Sequence, residues 1–176
     1  HINPVAEIAA KAHKAGAIAV VDGVSYAPHG LPDIKALGAD IYLFSLYKTW
    51  GPHLGLMFVS RQLREQMANQ SHYFHQGKPR SMLTPAGPDH AQIAAAAGIA
   101  EYLDAVYAQH FQEPADDAEK GRRLHQLFAE HETALLTPLL DFLKSREDLR
   151  IIGPDDAAMR ASTVTILPLK KPMAEL

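Results

Sequence analysis

A continuous apolar run, AIAVV (17–21), and a second strand-length run within ADIYLFS (39–45) point to the α/β class. A run of strand length without polar alternation fits a strand covered on both faces, as in parallel sheets flanked by helices. A helix signal precedes the first run: Asn3 reads as an N-cap, Pro4 as a first-turn residue and Gly16 as the stop. Ile8 and the alanines around it provide the face that packs on a sheet. Between the runs, YAPHGLPDIKALG reads as a loop and one helical turn closed by Gly38. A third run, LGLMFVS (54–60), follows a loop that contains Lys48. The first 60 residues therefore read as the middle of a βαβ sheet. An α/β protein normally opens on a strand, so a start on a helix at His1, without Met, points to a piece of a longer chain.

Farther on, RQLREQMANQ (61–70) reads as a short polar helix, and SHYFHQGKPRSMLTPAGPD has the Gly, Pro and Ser content of a long loop. An alanine-rich helix is expected from His90 to about Tyr107. A second runs from about Asp116 to Ser145, with Leu124, Leu127, Phe128, Leu135, Leu139 and Leu143 at helical spacing, and Pro138 should kink or split it. DLRIIGP (148–154) and STVTILP (162–168) read as strands. The expected organisation is the C-terminal half of a large domain over 1–110, a connecting helix over 111–147 and the beginning of a small α+β domain over 148–176.

Bulk composition excludes several partners. Net charge is −3 with Lys and Arg scattered, which argues against nucleic acid or an anionic membrane surface. No apolar stretch approaches the roughly 18 residues of a membrane span, and no signal peptide opens the chain, so a cytoplasmic protein is expected. Cysteine is absent, which removes disulfides, thiolate metal sites and cysteine nucleophiles within these 176 residues. Ten histidines show no metal-binding spacing on a predicted helix, and His72 with His75 lacks a third ligand, so no metal site is expected. The SHYFHQ stretch reads as an active-site rim and Trp50 as packing for its turn.

Chemistry concentrates where the strands end. In open α/β sheets ligands lie outside the carboxyl ends of the strands, and there stand Asp22 after AIAVV and Lys48 after ADIYLFS. An acid and a lysine on neighbouring strand ends suit pyridoxal 5'-phosphate. It needs a lysine for its Schiff base and a carboxylate against its pyridine nitrogen. A turn-forming Asp and a solvated Lys are the ordinary alternative.

The wider pattern discriminates between these readings. VDGVSYAPHG followed by ADIYLFSLYKTWGPHLGLMFV resembles the fold-type I pyridoxal-phosphate enzymes of aminotransferase class V, the cysteine desulfurase and selenocysteine lyase group. That family has a strand ending in Asp-Gly or Asp-Ala with a following Pro-His, then a strand ending in Ser-x-His-Lys before Gly-Pro and another glycine. The chain carries Asp22-Gly23, Pro28-His29, Ser45-x-Tyr47-Lys48, Gly51-Pro52 and Gly55. LTPAGPDHAQIAAAAGIAEYLDAV and RIIGP…ASTVTILP resemble the later segments of the same family.

The resemblance implies part of an aspartate aminotransferase-like large domain with a mostly parallel sheet, plus the start of the small domain. It implies Lys48 as the catalytic Schiff-base lysine, Asp22 as the partner of the pyridine nitrogen and Ser45 as a phosphate ligand. Tyr47 stands where the motif has His, and Ser25 where many desulfurases have a Gln facing the ring hydroxyl. His29 and Thr84 are possible pocket residues. Gly87 lies in the segment that in this family reaches the other subunit's phosphate, which implies a homodimer, and Pro88 stands where Thr is common. The implied substrate is a small amino acid. The implied reaction is cysteine desulfuration or selenocysteine cleavage with a sulfur or selenium acceptor. A class V aminotransferase or epimerase is the alternative, and a non-catalytic interaction module that kept the fold is the alternative of another class.

Overall fold

The computed structural model describes residues 2–30, 32–170 and 172. The chain divides into two compact units, one built from Val5–Pro28 and Pro32–Glu113, the other from His1–Pro4, His29–Leu31 and Pro114–Leu176.

The first unit opens with α1 (Val5–Lys14), whose Ala9 is buried. The chain turns at Gly16 in the left-handed region, φ 74°, the conformation glycine adopts without a Cβ penalty. β1 (Val20–Asp22), α2 (Ala27–Gly30, of which only Ala27 and Pro28 belong to this unit), α3 (Ile34–Leu37) and β2 (Ile41–Ser45) follow. Asp33 caps α3 by accepting from the Lys35 and Ala36 amides, and Gly38 closes it at φ 67°. β1 and β2 run parallel, with Asp22 opposite Leu43. The carboxylate of Asp40 joins three elements. It accepts from Ala19 N–H at 2.8 Å and lies 2.8 Å from His13 Nε2, which ties the end of α1 to the entrances of both strands. The Ala19 amide, then His13, hold its pKa below the ordinary carboxylate value.

The sheet departs from expectation at two points. β3 (Gly55–Val59) runs antiparallel to β2, with Ile41 opposite Val59 and Ser45 opposite Gly55. The connection across 46–54 is too short for the crossover that a parallel partner requires. The run AIAVV also joins the ladder only at Val20, and Ile18 and Val20 are 56% and 59% exposed rather than buried on both faces. β1 is an edge of the three-stranded sheet, ordered β1-β2-β3, so its outer side has no strand against it among the described residues.

α4 (Arg61–Gln66) is capped by the Ser60 hydroxyl, which accepts from Leu63 N–H. The connection to residue 89 holds a single 3-10 turn, Tyr73–His75, between otherwise irregular segments. The alanine-rich helix forms as α5 (His90–Ala95) and α6 (Ala97–His110). Ala96 between them keeps helical angles, φ −61° and ψ −23°, and its N–H is shared among the carbonyls of Gln92, Ile93 and Ala94. The break is thus in the hydrogen-bond pattern rather than in the path of the chain. Tyr107 is buried on α6 and donates its hydroxyl to Glu113 C=O at 3.0 Å.

In the second unit α7 (Asp117–Lys144) precedes an antiparallel hairpin of β4 (Leu149–Ile152) and β5 (Thr165–Pro168). Pro138 does not split α7. A proline removes one intrahelical bond, and Leu136 and Leu140, both buried, anchor the helix on either side of it. The buried stripe comprises Leu124, Leu136, Leu140 and Leu143. The expected Leu135 and Leu139 are instead 63% and 45% exposed, because the buried face is rotated by one residue past the middle of the helix. Arg160 is buried and donates to the carbonyls of Pro154 at 2.6 Å and Thr163 at 2.7 Å, which staples the long β4–β5 connection.

Candidate active site

The parallel pairing of β1 with β2 sets Asp22 and Ser45 at the same, carboxyl, end of adjacent strands. Beyond Ser45 the chain makes one 3-10 turn, Leu46–Lys48, which carries Tyr47 and Lys48 outward. Asp22, Ser25, Tyr47 and Lys48 are all exposed, whereas Leu46 and Thr49 between them are buried. The sheet thus presents a carboxylate, a lysine and hydroxyls along one edge and anchors their backbone in its core. Asp22 Oδ1 accepts from Val24 N–H at 3.0 Å, which leaves its second oxygen for a ligand. Among the described residues no carboxylate pairs with Lys48.

Gly23 follows Asp22 for a steric reason. A Cβ there would lie 2.0 Å from both Cζ and Oη of Tyr42. Tyr42, on β2, is 1% exposed, so its ring fills this space and leans on the Asp22 strand end. Burial, with Tyr26 and Asp22 adding to it, pushes the Tyr42 phenol up to about 12. The phenol is therefore neutral beside the Asp22 carboxylate at any ordinary pH.

After Lys48 the backbone leaves through Trp50 at φ 62°, among the described residues the one non-glycine with positive φ. For a bulky residue this costs about 1 kcal/mol or more. The Trp50 ring packs on Tyr102 with centroids 5.2 Å apart, in keeping with its expected packing role. Tyr47 stacks flat on His53, at 4.8 Å and 6° between planes. The sequence carries no signal for that pairing, since His53 sits in a loop.

The remaining expected residues lie elsewhere. Thr84 and Gly87 are in the connection that leads to α5, where the Thr84 carbonyl accepts from the Ser71 hydroxyl. Gly87 is at φ 69° and a Cβ there would meet nothing within 4 Å. His29 belongs to the second unit, with Nδ1 2.7 Å from Glu132 Oε1 and 3.3 Å from Ser162 Oγ. In the SHYFHQ stretch, His72, Tyr73, Phe74 and His75 form a run of ring contacts, and Tyr73 is 81% exposed. No group of three metal-ligating side chains gathers among the described residues.

Asp22 thus ends one strand and Lys48 lies in the turn beyond the end of its parallel neighbour. Residues 1–170 match the family model described as Aminotransferase class-V, and the chain belongs to that pyridoxal-phosphate-dependent family. It is 34% identical over 167 residues to the "Aminotransferase-like protein FGM3" of Gibberella zeae, covering 93% of this chain and 38% of that protein. It is 32% identical over 170 residues to the "Cysteine desulfurase-like protein ustD" of Aspergillus flavus, covering 93% and 35%. The fold is similar to that of the cysteine desulfurase CsdA of Escherichia coli, with TM-score 0.60 and 22% identity over 87% of this chain and 37% of that one. The chain spans less than two fifths of the length of these proteins.

Proposed function

We propose that the chain carries the lysine-bearing half of a cofactor site in a pyridoxal-phosphate-dependent enzyme that cleaves the C–S or C–Se bond of cysteine or selenocysteine. The single observation that supports this is the parallel pairing of β1 with β2, which brings Asp22 and the turn carrying Lys48 to one sheet edge. The donor set fits the group. Asp22 has a free carboxylate oxygen for a pyridinium N–H, Ser45 and Tyr47 offer hydroxyls to a phosphate, and Lys48 offers an amine without a competing carboxylate among the described residues. Pyridoxal phosphate, when bound, supplies the electron sink for the substrate's α-carbon. Asp22 would face the ring nitrogen and accept its N–H. Lys48 would hold the cofactor through its amine and would be the base that moves the substrate's α-proton. Ser25 stands where the family's Gln would face the ring hydroxyl.

No cysteine occurs in these 176 residues, so in this reading any thiol that takes up the released sulfur or selenium lies outside them. The large-domain, connecting-helix and small-domain division at 110 and 147 belongs to the same proposal, as do a homodimer sharing its sites through the Gly87 segment and a cytoplasmic location. Among the described residues no helix is long and apolar enough to cross a membrane.

A second reading, amino transfer, is favoured by the name of the Gibberella zeae relative, "Aminotransferase-like". Product analysis separates the two. With L-cysteine and a thiol reductant, the intact protein should release alanine and sulfide in equal amounts. Formation of a 2-oxo acid without sulfide would favour the transaminase, and no turnover of any amino acid would favour the interaction module.

A further inference from the structure

The turn that carries Lys48 hangs on one carbonyl. Leu46 C=O accepts from Thr49 N–H at 2.8 Å, Gly51 N–H at 2.8 Å and the Thr49 hydroxyl at 3.0 Å. A carbonyl has two lone pairs, so three donors saturate it. The Thr49 hydroxyl also lies 3.4 Å from Ser45 C=O, the last carbonyl of β2. Leu46 N–H in turn donates to Leu54 C=O at 2.8 Å, which closes the turn against the start of β3. Thr49 is 3% exposed and Leu46 3%, so these bonds are shielded from water and hold their geometry better than exposed ones.

The exit from the turn is fixed as well. Trp50 keeps a positive φ that persists only where the surroundings enforce it. Its ring is held on Tyr102, and a Cβ on Gly51 would come within 2.5 Å of Ile99 Cδ1, so the next residue is pressed against α6. Lys48 itself is exposed at the end of this rigid turn.

We propose that Thr49 is a positioning residue. Its buried hydroxyl, bonded across Leu46 and Ser45, fixes the turn so that the Lys48 amine is presented in one direction from the sheet edge. This rests on the reading of Lys48 as the cofactor-attaching lysine. A threonine that merely satisfied its own hydroxyl would affect stability and leave the lysine's reactivity alone.

The test compares Thr49→Val, which keeps the shape and removes the hydroxyl, with Thr49→Ser, which keeps the hydroxyl. Each intact protein is mixed with pyridoxal phosphate and quenched with borohydride over time, and covalent label on the Lys48 peptide is measured. The pH titration of the bound cofactor's absorbance is recorded in parallel. Thr49→Val should label at least about tenfold more slowly and titrate at a shifted pH, while Thr49→Ser should match the wild type in both. Should Thr49→Val not fold, Thr49→Ala is read in the same way. A hydroxyl-free variant with wild-type labelling and titration would overturn the inference alone. An unlabelled wild type would overturn the reading of Lys48 and this inference with it.

Discussion

The ring of Tyr42 occupies the space that a side chain on Gly23 would need, with Cζ and Oη 2.0 Å from an ideal Cβ. Because Tyr42 is buried at the centre of the sheet, this contact fixes the direction in which the chain leaves Asp22. Gly23→Ala must push the ring or bend the strand end, and overpacking of this kind costs roughly 2–3 kcal/mol. Urea unfolding of the intact protein measures it. A change below about 0.5 kcal/mol would show that Tyr42 can move aside.

Tyr42 also makes stability depend on alkaline pH. Its folded pKa, about 12, is above its ordinary value of 10.0, chiefly because of burial. The unfolded state therefore loses this proton first. The contribution is fully present below pH 10 and declines as pH rises towards about 12. Tyr42→Phe should flatten the fall in stability over that interval, as read by denaturant midpoints at successive pH values. An unchanged slope would assign the alkaline loss to other groups.

Asp22 should matter for cofactor affinity and little for folding, since it is exposed and holds only the Val24 amide in return. Asp22→Ala removes a charged hydrogen bond to the ring nitrogen, on the scale of about 1.5–3 kcal/mol, or roughly ten- to a hundredfold in affinity. Equilibrium dialysis against pyridoxal phosphate gives the number. Asp22→Asn with wild-type affinity and turnover would show that another residue faces the nitrogen.

Gly87 tests the shared site. At φ 69° with open space around it, the residue suits a place where backbone approaches a phosphate from another subunit. Gly87→Val should weaken cofactor binding and leave Lys48 chemically reactive. Gly87→Asn, which tolerates the left-handed region, separates backbone strain from close approach, and it too should weaken binding. Sedimentation should find a dimer. A monomer with full turnover contradicts the shared-site picture.

Much of this was legible in the residues. The strand runs, the Gly38 stop and the polar strand ends alone place Asp22 and Lys48 at one end of the sheet. The direction of β3 was not, because apolar runs look alike in parallel and antiparallel ladders and only the length of the 46–54 connection distinguishes them. The exposure of Val20 depends on what flanks β1, which periodicity cannot report. α7 continues through Pro138 without splitting, because tertiary burial of Leu136 and Leu140 outweighs one lost bond. Thr49 was invisible for a simpler reason: a threonine after a loop lysine reads as surface, and only its burial reveals the hydroxyl's bonds.

The proposed function depends most directly on attachment of the cofactor to Lys48. The intact protein, incubated with pyridoxal phosphate and reduced with borohydride, should carry one reduced pyridoxyl group, on the peptide containing Lys48, as located by mass spectrometry. Lys48→Ala should fold normally, since an exposed lysine at the end of a turn adds little to the core, and should carry no such label. A label on a different lysine, or an equal label in Lys48→Ala, would contradict the account.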